Sequence, residues 1–261
     1  MLQARDVTFA YGGGRGRVLD GVSIDVDRGA IVGLLGPNGS GKTTMLKLLA
    51  GLFQPLSGSI TLDGRAVGSL PRRELARRMA VVPQETHSTF DFTALDIVLM
   101  GRYPHLGAFE LEGANDLAIA REMLMATGTA GLEGRRFATL SGGEKQRVVI
   151  AGALAQAAEM LLLDEPTASL DLGYQLELAL LLQRLNRERG MAMVLSTHDL
   201  NIAALLCTHA VLLKDGRVLA RGAIESVLTE ANIRSVYGVE ADVRFHDRAR
   251  HVTVVPIARA D

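Results

Sequence analysis

Eight consecutive residues near the start of this chain, Gly36-Pro37-Asn38-Gly39-Ser40-Gly41-Lys42-Thr43, narrow the folds open to it more than any other stretch. They fit G-x-x-x-x-G-K-[ST], and the flanks are of the right kind. Ile31, Val32, Leu34 and Leu35 make a short apolar run suited to a buried strand, while Thr44 to Ala50 holds good helix formers and stops at Gly51. Strand, glycine loop and helix in that order read as a phosphate-binding loop. Gly36, Gly39 and Gly41 can take backbone angles closed to other residues, so successive amide N–H groups can turn inward around a polyphosphate at a helix N-terminus. Lys42 adds a mobile positive charge for the β and γ phosphates. Thr43 offers a hydroxyl to Mg²⁺, whose octahedral shell calls for a further carboxylate downstream.

The bulk properties leave room for such a site and exclude other classes. At 261 residues and 48% hydrophobic content, the chain suits one large α/β domain or two small ones with a substantial core. A net charge of −1 gives no global reason to expect nucleic acid as a partner. The lone Cys207 cannot form an internal disulfide and, in an apolar helix-like stretch, reads as an inert buried hydrophobe in a reducing compartment. Met1 to Asp6 lacks a secretory pattern, and the run Leu200 to Leu213 contains Asn201, Thr208 and His209, short of the roughly 20 apolar residues that cross a bilayer. The expectation is a cytosolic chain that meets a membrane only through a partner.

Taken in order, residues 2–9 and 22–27 alternate apolar and polar and predict antiparallel strands. Tyr11 opens the glycine-rich connection Tyr11 to Arg17, where its ring either stacks on a nucleobase or packs on the sheet rim. Ser59 to Gly64 predicts a strand entering a turn, and Pro71 begins a helix through Arg78 with Arg72, Arg73, Arg77 and Arg78 on a solvated face. Ala80 to Val82 predicts a strand that ends at Pro83-Gln84, placing Gln84 where ligand sites of α/β sheets collect. Beyond Glu85 the character turns to helix and loop as far as about Gly134, with a capping-box pattern at Thr93 to Asp96 and a helix from about Asn115 to Thr127. Ser141 opens a helix, Met160 to Leu163 and Met191 to Ser196 are buried strands, and Leu172 to Arg189 is a long helix. A helix over Ile224 to Tyr237 and a strand pair around Val243 and Val252 to Val255 complete the chain. Strands separated by helices imply parallel crossovers.

Two more clusters carry chemistry. Asp164 and Glu165 close an apolar strand, the place for the missing metal carboxylate and for a base that polarises water attacking the γ phosphate. Leu140-Ser141-Gly142-Gly143-Glu144 fits a capping box, yet two glycines in a first turn suggest that something approaches the backbone closely, and a second phosphate contact would explain them. His198, after the strand ending in Ser196-Thr197, stands where it could hydrogen-bond a γ phosphate. His87, His209, His246 and His251 have no compact ligand spacing and the one cysteine gives no thiolate cluster, so no structural metal site is indicated.

These residues together resemble the ATP-binding-cassette (ABC) ATPases over nearly the whole chain. Tyr11 matches the adenine-stacking aromatic, residues 36–43 with Thr44 the Walker A loop and its first helical turn, Gln84 the Q-loop, and Leu140 to Glu144 the signature. Asp164 and Glu165 match Walker B and the catalytic glutamate, Ser169-Leu170-Asp171 the D-loop, and His198 the switch histidine. One departure is Glu144, where many relatives carry glutamine; it bears on subfamily and not on activity. The resemblance implies an α/β fold, a P-loop NTPase nucleotide-binding domain with an antiparallel β subdomain, a parallel RecA-like core and a helical subdomain. It places the ATPase domain over 1–238, the helical subdomain at about 85–150 and a short extension over 239–261. Mg²⁺ is expected at Thr43, Gln84 and Asp164, catalysis at Glu165 and His198. Ser141, Gly142, Gly143 and Glu144 would contact ATP held by a second copy in a head-to-tail dimer.

One cassette without a fused span is similar to the separate ATPase subunit of a bacterial importer. The stretch Val98 to Leu106, with Ser196 to Asn201 and Val236 to Val239, looks like the iron-siderophore, haem and cobalamin import group. That group implies multi-span permease partners, indirectly an extracytoplasmic binding protein, and a place at the cytoplasmic face of the membrane. His105, in a turn, need not bind iron or haem. A soluble cassette of DNA repair or translation shares every nucleotide motif but usually has two cassettes or a coiled-coil insertion, and no sustained heptads occur between Gln84 and Leu140. An export ATPase shares them too, since direction lies mainly in the membrane partner.

Overall fold

A computed structural model describes residues 1–12, 16–84, 91–168 and 170–260. Leu2–Phe9 (β1) and Leu19–Val26 (β2) pair antiparallel, and a register shift between Ala4 and Val7 resets the period so that Leu2, Ala4, Val7 and Phe9 all face inward. Of the glycine-rich connection expected between Tyr11 and Arg17, residues 13–15 lie outside the described residues. Ile31–Leu35 (β3) is buried at every position, the pattern of a strand covered on both faces. Lys42–Leu49 (α1) follows the glycine loop. Ser57–Leu62 (β4) runs antiparallel to β1 and turns into the two-residue Arg65–Ala66 (β5).

Arg72–Arg78 (α2) starts after Pro71 and leads directly into Met79–Val82 (β6). Residues 85–90, with His87 among them, lie outside the described residues. Thr93 caps Ala94–Met100 (α3) with the expected box: its hydroxyl accepts from Asp96 N at 3.2 Å, and Asp96 Oδ2 accepts from Thr93 N at 2.8 Å. Ala114–Ala126 (α4), Gly142–Ala155 (α5), Met160–Asp164 (β7), Leu172–Arg189 (α6) and Ala192–Thr197 (β8) stand within a residue or so of their expected bounds.

After Leu200–Leu206 (α7), sequence reasoning passed over a hairpin, His209–Lys214 (β9) and Arg217–Ala223 (β10), whose signal is the Asp215-Gly216 turn dipeptide. The tail corrects one expectation. In place of a single helix over Ile224 to Tyr237 there are two, Ile224–Val227 (α8) and Glu230–Tyr237 (α9). Thr229 is extended between them, and its hydroxyl accepts from Asn232 N at 3.2 Å, starting α9 afresh. Val239–His246 (β11) and His251–Arg259 (β12) then form an antiparallel pair.

The chain divides into two compact units. The first, Met1–Ser69 with Leu182–Asp261, holds the antiparallel sheet β2-β1-β4-β5 and a parallel group in which β3 lies between β8 and β9, with β10 antiparallel outside β9. Leu34, Leu35, Met193 and Val194 are fully buried there, each such side chain contributing about 1.5–3 kcal/mol. The second, Leu70–Leu181, holds β6 and β7 in parallel with helices α2 to α5. Its helices meet at a polar knot: buried Arg102 donates to Asp116 Oδ1 on α4 at 2.9 Å and to the Ala155 carbonyl on α5 at 2.7 Å.

Candidate nucleotide site

In the first unit β3 delivers the glycine loop. Leu35 pairs in register with Thr197 of β8 and Leu212 of β9, so Gly36 and His198 leave neighbouring strands at the same end. Gly36 and Gly41 have φ of 147° and 102°. A Cβ on Gly36 would stand 2.3 Å from the Leu213 carbonyl oxygen, and one on Gly41 would stand 2.6 Å from Leu19 Cδ2, so both positions exclude side chains by space as well as by angle. Lys42 is buried and folds its ammonium back to the loop, donating to the Gly36 carbonyl at 2.8 Å and the Pro37 carbonyl at 3.1 Å. Ser40 is buried as well, and its hydroxyl has no hydrogen-bond partner among the described residues. Asn38 and Gly39 form the exposed tip, and Thr43 is half-buried at the start of α1.

Tyr11 packs edge-on against Phe9 and Phe53, with ring centroids 5.1 and 5.7 Å away, while Phe9 and Phe53 stack at 5.4 Å. Its hydroxyl lies 3.0 Å from Thr44 Oγ1 on α1, and 42% of the residue stays exposed. The rim packing is therefore present, and it orients a ring that is still open to solvent beside the loop helix. His198 is exposed at its strand end, and Asp199 caps α7 by accepting from Asn201 N at 2.9 Å and Ile202 N at 3.0 Å.

The second unit assembles the acidic end. Val82 of β6 pairs with Leu163 of β7, so Gln84 and the Asp164-Glu165 pair leave that sheet together. Asp164 is buried. Glu165 takes φ of 45°, a left-handed conformation that costs an L-residue about 1–2 kcal/mol, and its carboxylate accepts from Gln84 Nε2 at 3.5 Å. Adjacent acids thus part company: one remains in the strand and the other reaches Gln84.

Ser141 caps α5, accepting from Glu144 N at 3.3 Å while Glu144 Oε2 accepts from Ser141 N at 2.8 Å. The Ser141 amide, then its hydroxyl, hold the Glu144 carboxyl below the usual range. The close approach anticipated at the glycine pair is found at Gly143, where a Cβ would stand 2.8 Å from the Tyr174 ring; at Gly142 it would meet only Leu170, at 3.7 Å. Asp171 Oδ1 accepts from Tyr174 N at 3.0 Å. Ser169 of the same loop lies outside the described residues. Tyr174 carries the Arg147 guanidinium over its ring at 5.5 Å, and sequence reasoning passed over it because an aromatic three residues beyond Asp171 has no motif of its own.

The Tyr103-Pro104-His105 turn is held on several sides. His105 Nε2 lies 2.9 Å from the Gln156 carbonyl oxygen, Arg77 Nε donates to the Pro104 carbonyl at 2.8 Å, and the Arg73 guanidinium lies 5.6 Å from the Tyr103 ring centroid. Two of the arginines expected on a solvated face therefore brace this turn. Met100, Tyr103, Phe109 and Leu111 remain exposed around it.

The sequence pattern of the family described as ABC transporter matches residues 19–168. A hemin import ATP-binding protein of Bordetella pertussis is 44% identical over 253 residues, covering 94% of this chain and 95% of that protein. A cobalamin import ATP-binding protein of Halobacterium salinarum is 41% identical over 241 residues, and there the match covers 92% of this chain but 60% of the relative. Among solved structures, an ABC transporter of the metal-chelate type in an inward-facing conformation superposes with a TM-score of 0.86 at 29% identity, over 98% of this chain and 97% of that one. A dimeric bacterial ABC transporter cassette gives 0.76 at 31% identity, over 86% and 99%.

Proposed function

Because this chain belongs to the ABC transporter family, we propose that it is the ATP-binding and ATP-hydrolysing subunit of an importer that takes up an iron chelate, haem or cobalamin through separate permease subunits. The observation that carries the nucleotide reading is the register of Leu35 with Thr197, which brings the glycine loop and His198 to one end of one sheet. Successive loop amides and Lys42 hold the phosphates of ATP, and the Tyr11 ring takes the adenine. Glu165 accepts a proton from a water whose oxygen attacks the γ phosphorus, as the bond to the ADP oxygen breaks; His198 orients that water. Thr43, Gln84 and Asp164 offer a hydroxyl, an amide carbonyl and a buried carboxylate, an all-oxygen set that suits Mg²⁺. Mg²⁺ held by such oxygens would supply positive charge to offset that of the phosphates.

Ser141, Gly142, Gly143 and Glu144 contact the ATP of a second copy, and the dimer closes on ATP and reopens after hydrolysis. Asp171 belongs to the same interface. In this reading Met100, Tyr103, Phe109 and Leu111 form the face that meets the permease at the cytoplasmic side of the membrane, and an extracytoplasmic protein hands over the cargo. The similarity to the Bordetella hemin protein over 95% of its length favours import of a metal chelate. No helix among the described residues is long and apolar enough to cross a membrane, in keeping with a separate permease.

The test is to isolate tagged Glu165→Gln protein from detergent-solubilised membranes with Mg-ATP. A co-purifying multi-span permease is the expected result, and liposomes holding that complex then distinguish siderophore, haem and cobalamin. Recovery with ribosomes or nucleic acid alone would overturn the transporter reading.

A further inference from the structure

The segment after β10 has no part in the nucleotide chemistry described above, yet within the first unit two of its elements reach residues beside the glycine loop and beyond His198. α9 brings Tyr237 to the glycine loop. Its hydroxyl oxygen is buried with no hydrogen-bond partner among the described residues, and the Gly36 backbone is near enough to lower its pKa against the opposing effect of burial. Burial pushes the phenol up to about 12, so it stays a neutral hydroxyl at working pH. The buried Ser40 hydroxyl, also without a partner, lies 2.7 Å from where a Gly36 Cβ would stand. Two orphan hydroxyls thus flank one loop peptide, and a buried polar group left unmade is costly enough to call for a role.

β12 makes the second attachment. Asn201 Nδ2 donates to the Val254 carbonyl at 3.2 Å, and Asn201 Oδ1 accepts from Val254 N at 2.9 Å, a reciprocal pair three residues beyond His198. Between the two attachments α9 packs on β11, which is paired along its length with β12. Lys214, one residue beyond the Leu213 carbonyl that crowds Gly36, donates to the Ser235 carbonyl of α9.

We propose that Tyr237 is a positioning residue for the phosphate loop, and that residues 229–259 form a brace holding the Gly36 peptide at one end and the helix after His198 at the other. Through its hydroxyl and ring, Tyr237 sets the pitch at which Gly36 presents the loop to nucleotide. Asn201 keeps the brace seated. The extension is then part of the ATP-binding machinery. This rests on the nucleotide reading above and is independent of cargo or permease.

The experiment measures binding of a fluorescent N-methylanthraniloyl-ATP, steady-state hydrolysis and thermal unfolding on the full chain. Tyr237→Phe removes only the unpartnered hydroxyl, so its melting temperature should equal or exceed that of the parent, while Kd for the nucleotide rises threefold or more and kcat stays within twofold. Asn201→Ala should also raise Kd, although residue 201 is not assigned to nucleotide. Wild-type affinity in Tyr237→Phe would overturn the hydroxyl's role, and wild-type affinity in Asn201→Ala would overturn the brace. Should Asn201→Ala fail to fold, Asn201→Asp, which keeps the acceptor for Val254 N but sets a charged oxygen against the Val254 carbonyl, takes its place under the same criterion. A parent chain that binds no nucleotide would overturn the underlying ATPase reading, and the proposal with it.

Discussion

Lys42 owes its position to backbone groups, because the Gly36 and Pro37 carbonyls that receive its ammonium are exposed by a left-handed loop no side chain could enter. At this scale two substitutions discriminate. Glu165→Gln keeps the volume and a hydrogen-bonding group next to Gln84 but abolishes the basic oxygen. Phosphate release should fall about 100-fold or more while nucleotide binding persists; unchanged release would remove Glu165 from its role. Gly143→Ala drives a methyl group into the Tyr174 ring 2.8 Å away, and overpacking of this kind costs about 1–3 kcal/mol, read in urea unfolding. Gly143→Ala in a Tyr174→Ala background should recover most of that loss, since the two residues share one volume. The glycine motif was plain in the sequence, and so was the need for something close to it. That the neighbour is Tyr174 was not, because the contact joins residues 31 positions apart through α5 and α6.

Among elements, the well-capped helices were the easiest to place. Thr93 and Asp96 satisfy each other's backbone amides, so Thr93→Ala should lower stability by about 1 kcal/mol without altering nucleotide affinity, as unfolding and titration would show. Loss of affinity with it would mean that α3 bears on the nucleotide directly. The same local rule explains the misplaced tail helix: Thr229 competes for the amide of Asn232 and so breaks a run that reads as continuous by hydrophobic period alone. The β9–β10 hairpin escaped notice because β9 lies beside β3, and a strand flanked by strands becomes an unbroken apolar run in which helix and strand look alike.

For the whole molecule, acid sensitivity follows from four carboxyls held below their usual range. Asp116 is held first by Arg102, Asp20 by Arg217, Asp25 by Arg5 and Glu144 by the Ser141 amide. Each has a lower pKa folded than unfolded, so its contribution is complete above the unfolded value and is lost as pH falls through the folded one. The melting temperature should therefore hold down to about pH 5 and drop progressively below about pH 4; a level midpoint at pH 3 would contradict this. Cys207 runs the other way. Burial pushes its thiol up to about 12, so the native chain should resist iodoacetamide at pH 8 and react only once unfolded; ready labelling of the native chain would contradict that burial. The sequence by itself determined the order of most elements, the phosphate loop, the acidic strand end and the family, because each depends on residues within a few positions of one another, where backbone angle, capping and periodicity act. Only the tertiary structure decided that Leu35 stands beside Thr197, that Gln84 reaches Glu165, and that Tyr237 lies against Gly36. Those neighbours are set by strand register and packing between distant segments, which no local pattern encodes.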